Sequence, residues 1–246
     1  MVRLGFTAAS TLWVAWSALP AVCGERRNPE NQRPATKVLA FFHGAETVSI
    51  AQFLGRLRPA PLSPAVRAQV IATLPAEGEL RPTEAERAKL AALEPIFEFH
   101  GRRDALTIKV IEVGHAFVGL HARTVLLVSR DALALLTPEE LQALAAHELG
   151  HEYVWDEYWT AMTRQAHPRM QELELVCDGI AVMTLRALGL QPARLVDAVT
   201  TVTRYNERLG ATASAGGYVS LKERRNFIEE IASRFEAGNT AQATRR

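Results

Sequence analysis

Cysteine is scarce in this chain, which has only Cys23 and Cys177 among its 246 residues. Cys23 lies in an N-terminal apolar segment that we expect to stand apart from the folded domain. Cys177 is then left alone, and a single thiol cannot form an internal disulfide. The sequence therefore excludes a small secreted fold held together by disulfides, and its length is sufficient for one domain with its own hydrophobic core.

The chain also lacks an excess of one charge and any long apolar run beyond its N-terminus. Its 28 Lys and Arg residues balance 27 Asp and Glu residues, so the formal net charge of +1 gives no indication of a nucleic-acid partner. No later stretch approaches the roughly 18 consecutive apolar residues of a membrane-spanning helix. We therefore predict no stable membrane span in the mature chain.

Residues 1–24 are typical of a secretory signal peptide. A positive charge at Arg3 precedes an apolar stretch over residues 4–18, and small residues follow shortly before the chain turns charged. We expect an exported protein, periplasmic or secreted, with residues 25–37 as a polar linker. One alternative is an uncleaved N-terminal anchor, for which the apolar stretch is short. Another is lipidation at Cys23, for which Val22 is larger than the small residue expected before the cysteine.

The most informative motif is the run His147-Glu148-Leu149-Gly150-His151. Residues four apart lie on the same face of an α-helix, so the two imidazoles can bind one zinc ion. Glu148 projects beside them and can act as general base on a zinc-activated water. The preceding residues predict that this motif lies on a helix, because Thr137 and Glu140 form a capping box and Pro138 suits the first helical position.

Catalytic zinc takes three protein ligands and keeps one position for water, so a third ligand is required. Glu174 is the best candidate, because Asp178 lies four residues later on the same helical face. Asp178 can accept the distal N–H of a zinc-bound imidazole and so fix its orientation. Glu172 is the alternative ligand, and Cys177 is a soft ligand that should point away from the Glu174 face.

The segment from Leu136 to His151 resembles zinc metallopeptidases of the gluzincin group. It is most similar to the family of the CAAX prenyl protease and the bacterial membrane protease HtpX. That family pairs its first motif with Glu-x-x-Ala-Asp on a second helix, which resembles Glu174-Leu-Val-Cys177-Asp178 here. The resemblance extends from about Leu106 to Phe227 and implies one zinc ion per chain. The alternative relatives are short metalloproteases that cleave transcriptional repressors and also carry His-Glu-Leu-Gly-His.

The resemblance also suggests how a substrate would be held. The β-branched and aliphatic run from Thr124 to Ser129 is predicted to be a strand. In zincins such a strand forms an edge above the metal, so Thr124, Leu126 and Val128 are candidate substrate-binding residues. Tyr218 stands where the family has a histidine, and its hydroxyl could stabilise the oxyanion. Arg224 and Arg225 are candidates to pair with a buried acid near the site.

The predicted fold class is α+β and mostly helical, with a small sheet whose edge strand borders the zinc site. We expect a metallopeptidase domain over residues 38–236, a helical N-terminal part over 45–93 and a disordered tail over 237–246. Strands are predicted over Leu106–Val113 and Thr124–Ser129, with a connector between them over Gly114–Arg123. Long helices are predicted over 137–164, 169–188, 192–209 and 221–235.

These observations predict an exported zinc endopeptidase acting on a protein or peptide substrate. His147, His151 and Glu174 would bind zinc, Glu148 would serve as the base, and Asp178 would orient an imidazole. A binding or chaperone-like module that retains zinc with little proteolysis is the alternative.

Overall fold

A computed structural model of the protein describes residues 34–75, 78–211 and 219–243, with side chains over 37–75, 78–211 and 219–235. The predicted signal peptide and most of the predicted linker lie outside the described residues. Tyr218 lies outside them as well, so the structure does not test its predicted role.

Eleven α-helices and a four-stranded sheet make up the described part of the chain, which is α+β and mostly helical, as predicted. The helices are α1 (Pro34–Leu39), α2 (Ile50–Leu57), α3 (Pro64–Thr73), α4 (Glu84–Ala91), α5 (Glu94–Phe99), α6 (Arg130–Leu135), α7 (Pro138–Tyr153), α8 (Trp155–Thr163), α9 (His167–Ala187), α10 (Ala193–Arg208) and α11 (Leu221–Ala243). The strands are β1 (Glu79–Leu80), β2 (Thr107–Ile111), β3 (Val118–His121) and β4 (Val125–Ser129). Short 3-10 turns at Ala40–Phe42 and Ala45–Thr47 connect α1 to α2.

Side chains cap the first turns of several helices, and the capping box predicted at Thr137 is among them. Thr137 and Glu140 form both bonds of a capping box at the start of α7, and Pro138 occupies the first turn. Thr83 forms the same box at the start of α4, and Ser63 caps α3. These caps satisfy backbone N–H groups that have no partner inside the helix, so they determine where each helix begins.

Strand β4 lies inside the sheet, so the prediction that Thr124–Ser129 forms an edge strand is wrong. The sheet order is β1-β2-β4-β3, with β4 parallel to β2 and antiparallel to β3. All five residues of β4 are buried. The continuous apolar run agrees with a strand covered on both faces of the sheet. Its interior place comes from pairing with β2 on one side and β3 on the other, which depends on residues outside the run.

The strand at the edge is β3, in the segment predicted to be a connector. It pairs with β4 on one side, from Val118 opposite Val128 to His121 opposite Val125. Its other side lies beside α7, which carries the histidine motif. An edge strand therefore borders the motif helix, but it is β3 rather than the predicted segment.

Helices α7 and α9 form the centre of the hydrophobic core. The buried side chains of α9 run from Leu173 to Leu185, and most of α7 is buried as well. A helix buried on most sides must be surrounded by other elements. Helices α1, α8, α10 and α11 pack around this central pair.

The single helix predicted over residues 137–164 is two helices, because the chain leaves helical geometry at Val154. This residue has φ −124° and ψ 19°, and its side chain is buried in the core. On a straight helix, residues seven apart would be separated by about 10 Å along the axis. The break instead allows Tyr158 on α8 to stack on His151, with ring centroids 4.6 Å apart.

Both ends of the described chain are more helical than predicted. Helix α1 begins at Pro34, inside the predicted linker, and α11 continues to Ala243, through most of the tail predicted to be disordered. None of the described helices combines the length and the apolar character needed to cross a membrane.

Candidate metal centre

His147, His151 and Glu174 converge on one point between α7 and α9. One donor atom from each of the three lies within 4.8 Å of the others, and both histidines are buried. The Nε2 atom of His147 lies 3.3 Å from Glu174 Oε2, and the Nε2 atom of His151 lies 3.8 Å from Glu174 Oε1. Tetrahedral zinc with bonds of about 2.0–2.1 Å would separate its ligand atoms by about 3.3 Å. This set of two imidazoles and one carboxylate could hold a metal ion, and its donor atoms are of the kinds that zinc takes.

Asp178 holds His147 from the side away from the metal position. Its Oδ1 accepts a hydrogen bond from His147 Nδ1 at 2.8 Å, and Asp178 is fully buried. This bond leaves Nε2 of His147 directed at Glu174, which is the orientation that a zinc ligand requires. The structure therefore brings Asp178 to one of the two motif imidazoles, and its role beside a bound metal stays a prediction.

Arg224 on α11 neutralises Asp178. Its Nε donates to Asp178 Oδ2 at 2.8 Å, and its Nη2 donates to Oδ1. A fork of two bonds onto one carboxylate is the strongest geometry available to arginine. This charge helps to hold the pKa of Asp178 below its usual range although burial alone would raise it. Of the two arginines predicted to meet a buried acid, Arg224 does so.

Glu148 lies on the same helix but outside the donor cluster. Its Oε2 accepts the backbone N–H of Leu120 in β3 at 3.0 Å. The surrounding protein raises the pKa of Glu148 to about 7, chiefly because burial disfavours the charged form. A carboxyl group whose pKa lies near neutrality is suited to accept and return a proton.

The carboxylates beside His147 favour the protonated form of its imidazole. Burial opposes the charge on this imidazole, but its hydrogen bonds to Asp178 and Glu174 outweigh burial and raise the pKa of His147 to about 10. Burial lowers the pKa of His151 to about 4, so this ring is neutral at pH 7. Burial would raise the pKa of Glu174, yet the neighbouring histidines hold it well below its usual range. A cation at Nε2 of His147 would take the place of this proton.

Tyr158 contacts two of the candidate metal ligands, which the sequence did not predict. Its hydroxyl donates to Glu174 Oε1 at 2.8 Å, while its ring stacks on His151. It therefore fixes the carboxylate of one candidate ligand and the ring plane of another. On one continuous helix Tyr158 would lie about 10 Å along the axis from His151, so the contact depends on the break at Val154.

Gly150 sets the distance between the two helices. A Cβ at this position would lie 2.8 Å from Cα of Cys177, closer than Cβ atoms approach in proteins, and a tight 3.1 Å from its carbonyl oxygen. Glu174 and Asp178 flank Cys177 on α9, just as His147 and His151 flank Gly150 on α7. The close approach of these two small residues therefore brings both pairs together.

A buried ion pair fixes the end of α7 directly after the second histidine. Arg102 Nε lies 3.0 and 2.8 Å from the two carboxylate oxygens of Glu152, and both side chains are almost fully buried. Arg102 also donates to the carbonyl of Pro59 at 2.6 Å, which connects the N-terminal helical part to α7. Paired charges of this kind hold the helix end in one position.

The other predicted site residues are distributed as follows. Leu126 and Val128 lie within the sheet and Thr124 directly precedes β4, and all three are at most 1% exposed, so they do not present a surface to a substrate. The prediction failed because the segment is a strand paired on both sides. Glu172, the alternative ligand, instead pairs with Arg169 at 2.7 Å. Cys177 is buried at the helix crossing.

Comparisons with known proteins do not add to this picture. No protein-family model matches the chain, and no curated protein matches it.

Proposed function

We propose that this protein is an exported zinc-dependent endopeptidase. The observation that carries the proposal is the convergence of His147, His151 and Glu174 on one point with Glu148 beside it. The resemblance of the two motifs to the gluzincin group, and to the family of the CAAX prenyl protease and HtpX, supports the same activity. The buried bond between His147 and Asp178 adds the second carboxylate that zinc-binding histidines commonly use.

In this proposal each residue has a separate task. His147, His151 and Glu174 would hold the ion, and Asp178 with Arg224 would keep His147 in the ligating orientation. A bound zinc ion would supply Lewis-acid chemistry, lowering the pKa of water and polarising a carbonyl. Glu148 would accept a proton as the water oxygen forms a bond to the peptide carbon. It would then give that proton to the nitrogen that leaves as the C–N bond breaks.

The substrate would be an extended peptide segment laid along β3. This strand borders α7, and its Leu120 N–H already contacts Glu148. A peptide that adds to an exposed strand edge is held by backbone hydrogen bonds, so many sequences can bind. The resemblance assigns oxyanion stabilisation to Tyr218, and this assignment stays a prediction.

The export signal and the zinc site are independent parts of the proposal. The N-terminal pattern of charge, apolar stretch and small residues supports export to the periplasm or outside the cell. Determination of the N-terminal residue of the protein recovered from its host would test cleavage of the segment. A retained Met1 would support the anchored alternative.

The activity is tested with zinc analysis and with cleavage of an unfolded casein-type substrate by the chain without residues 1–24. We expect about one zinc per molecule, cleavage that stops on chelation, and recovery when zinc is restored. Substituting Glu174→Ala should remove zinc and activity, while Glu172→Ala on the same helix should keep both. Zinc binding without any cleavage would contradict the proposal and support the zinc-retaining binding module.

A further inference from the structure

We propose that Asn206 limits the substrate to a short paired stretch, because its side chain closes one end of the open edge of β3. The peptide would pair with the outward groups of Val118 and with the outward carbonyl of Leu120, whose N–H is bonded to Glu148, and it would have to leave the sheet at Ala116. This inference rests on the proposed function, since it concerns how far a peptide extends along the edge beside Glu148.

The direction of each backbone group in β3 follows from its pairing with β4. The N–H of Ser129 donates to the carbonyl of Phe117 at 2.8 Å, so Phe117 faces β4. In an antiparallel pair, residues alternate between facing the partner strand and facing away from it. The backbone groups of residues 116, 118 and 120 therefore point to the open side. The bond from Leu120 N–H to Glu148 agrees with this alternation.

Asn206 occupies both outward groups of Ala116. The Ala116 N–H donates to Asn206 Oδ1 at 2.9 Å, and Asn206 Nδ2 donates to the Ala116 carbonyl at 2.9 Å. One side chain thus makes the two bonds that the next residue pair of an added strand would make. Ala116 is buried, so a peptide would have to replace both bonds together.

Helix α10 holds Asn206 in this position. Its buried face packs against α7, and Tyr205, the preceding residue, donates from its hydroxyl to Asp131 at 3.0 Å. Asn206 itself is half-buried near the end of α10. The block is therefore part of the helical framework and does not depend on the free movement of an exposed side chain.

Val118 is the position between the block and the base. Val118 is only 8% exposed, but among the described residues no hydrogen bond is made by its outward N–H or carbonyl, so these two groups are left for a peptide to pair with. Beyond Val118 the peptide gains no further backbone bonds in the direction of Ala116. The preferred substrate is an extended peptide segment. On the side of the cleaved bond that runs toward Ala116, this segment ends or bends within a residue or two.

The test measures peptide binding to the zinc-loaded Glu148→Gln protein, so that no peptide is consumed. Fluorescently labelled peptides would be lengthened one residue at a time from a common core, at the amino end in one series and at the carboxyl end in the other. We expect affinity to rise with length at one end and to stop rising early at the other. Adding Asn206→Ala should raise the affinity ratio of long to short peptides at the blocked end, by roughly two- to tenfold for each hydrogen bond gained.

Two further variants keep the result interpretable. Tyr205→Phe removes the neighbouring bond to Asp131 but leaves Asn206, so the early plateau should persist. If Asn206→Ala does not fold, Asn206→Asp keeps the acceptor for Ala116 N–H and loses the donor to its carbonyl, so a smaller gain is expected.

An unchanged ratio of affinities in a folded, zinc-containing Asn206→Ala protein would overturn the inference, as would the absence of peptide binding to any variant. If the peptides bind with the expected early plateau but the protein that retains Glu148 does not cleave them, the proposed hydrolysis is overturned and the inference about Asn206 is not.

Discussion

Replacing Gly150 with alanine should destabilise the protein, against the usual effect of this change. Inside a helix, Gly→Ala ordinarily stabilises by about 1 kcal/mol, since alanine loses less backbone entropy. At Gly150 the added methyl group would lie 2.8 Å from Cα of Cys177, whereas ordinary contact begins near 3.4 Å. The obstructing atoms include backbone, so they cannot swing aside as the end of a side chain can.

The size of the effect follows from this shortfall of about 0.6 Å. Overpacking of a close-packed interior typically costs about 1–3 kcal/mol. After subtraction of the helical gain, we expect a net loss of about 0–2 kcal/mol in the free energy of unfolding. Metal sites tolerate errors of about 0.2 Å in ligand distances, so separating α7 from α9 should also weaken zinc binding by at least about tenfold.

Urea unfolding of the metal-free protein and competition for zinc with a chelator measure the two effects separately. Gly55→Ala is the matched control, because Gly55 lies within α2 and nothing lies within 4 Å of a Cβ added there. That control should gain about 0.5–1 kcal/mol and keep its zinc affinity. A Gly150→Ala protein with the stability gain of the control and unchanged zinc affinity would refute the helix-crossing explanation.

Three further predictions concern the residues around zinc. Asp178→Asn should weaken zinc binding by about 10–100-fold, because the amide is a poorer acceptor for His147 and leaves Arg224 without its counter-charge. Competition with a chelator measures this, and equal zinc affinities of the variant and the wild type would remove Asp178 from the site. Tyr158→Phe keeps the ring on His151 but removes the hydrogen-bond donor to Glu174. It should weaken zinc binding by about tenfold in the same assay. An unchanged zinc affinity would limit the role of Tyr158 to packing. Zinc binding at pH 7 should release at least about one proton, because the pKa of His147 is raised to about 10 without metal. The affinity for zinc should therefore rise with pH below that value. Calorimetry in two buffers with different ionisation enthalpies measures the release, and finding none would contradict the protonated state of His147.

The parts of the site that repeat at helical spacing were predictable from the sequence. His147 and His151, and likewise Glu174 and Asp178, lie four residues apart, so local helix geometry alone places each pair on one face. The capping box at Thr137 marks where the first of these helices begins. The helical character of both motifs is confirmed, because it depends on residues close together in the chain.

The parts that depend on contacts between distant residues were not predictable in the same way. The order of strands places β4 inside the sheet, and nothing within the run Thr124–Ser129 alone distinguishes an apolar edge strand from an apolar interior one. Strand β3 was missed because it is short and contains Gly119, which weakens the strand signal. The position of Tyr158 depends on the break at Val154, where the apolar pattern continues without a Pro or Gly to indicate the end of a helix.

We propose that Glu148 makes this candidate metal centre a peptidase site, and the most direct test is the cleavage rate of Glu148→Gln. Zinc-loaded wild type, Glu148→Gln and Glu139→Gln would be compared on one unfolded protein substrate. Glu139 lies exposed in the first turn of the same helix, so its variant should cleave like the wild type. Glu148→Gln should keep its zinc and lose at least about a hundredfold in rate. Equal cleavage by all three zinc-loaded proteins would contradict the proposed mechanism.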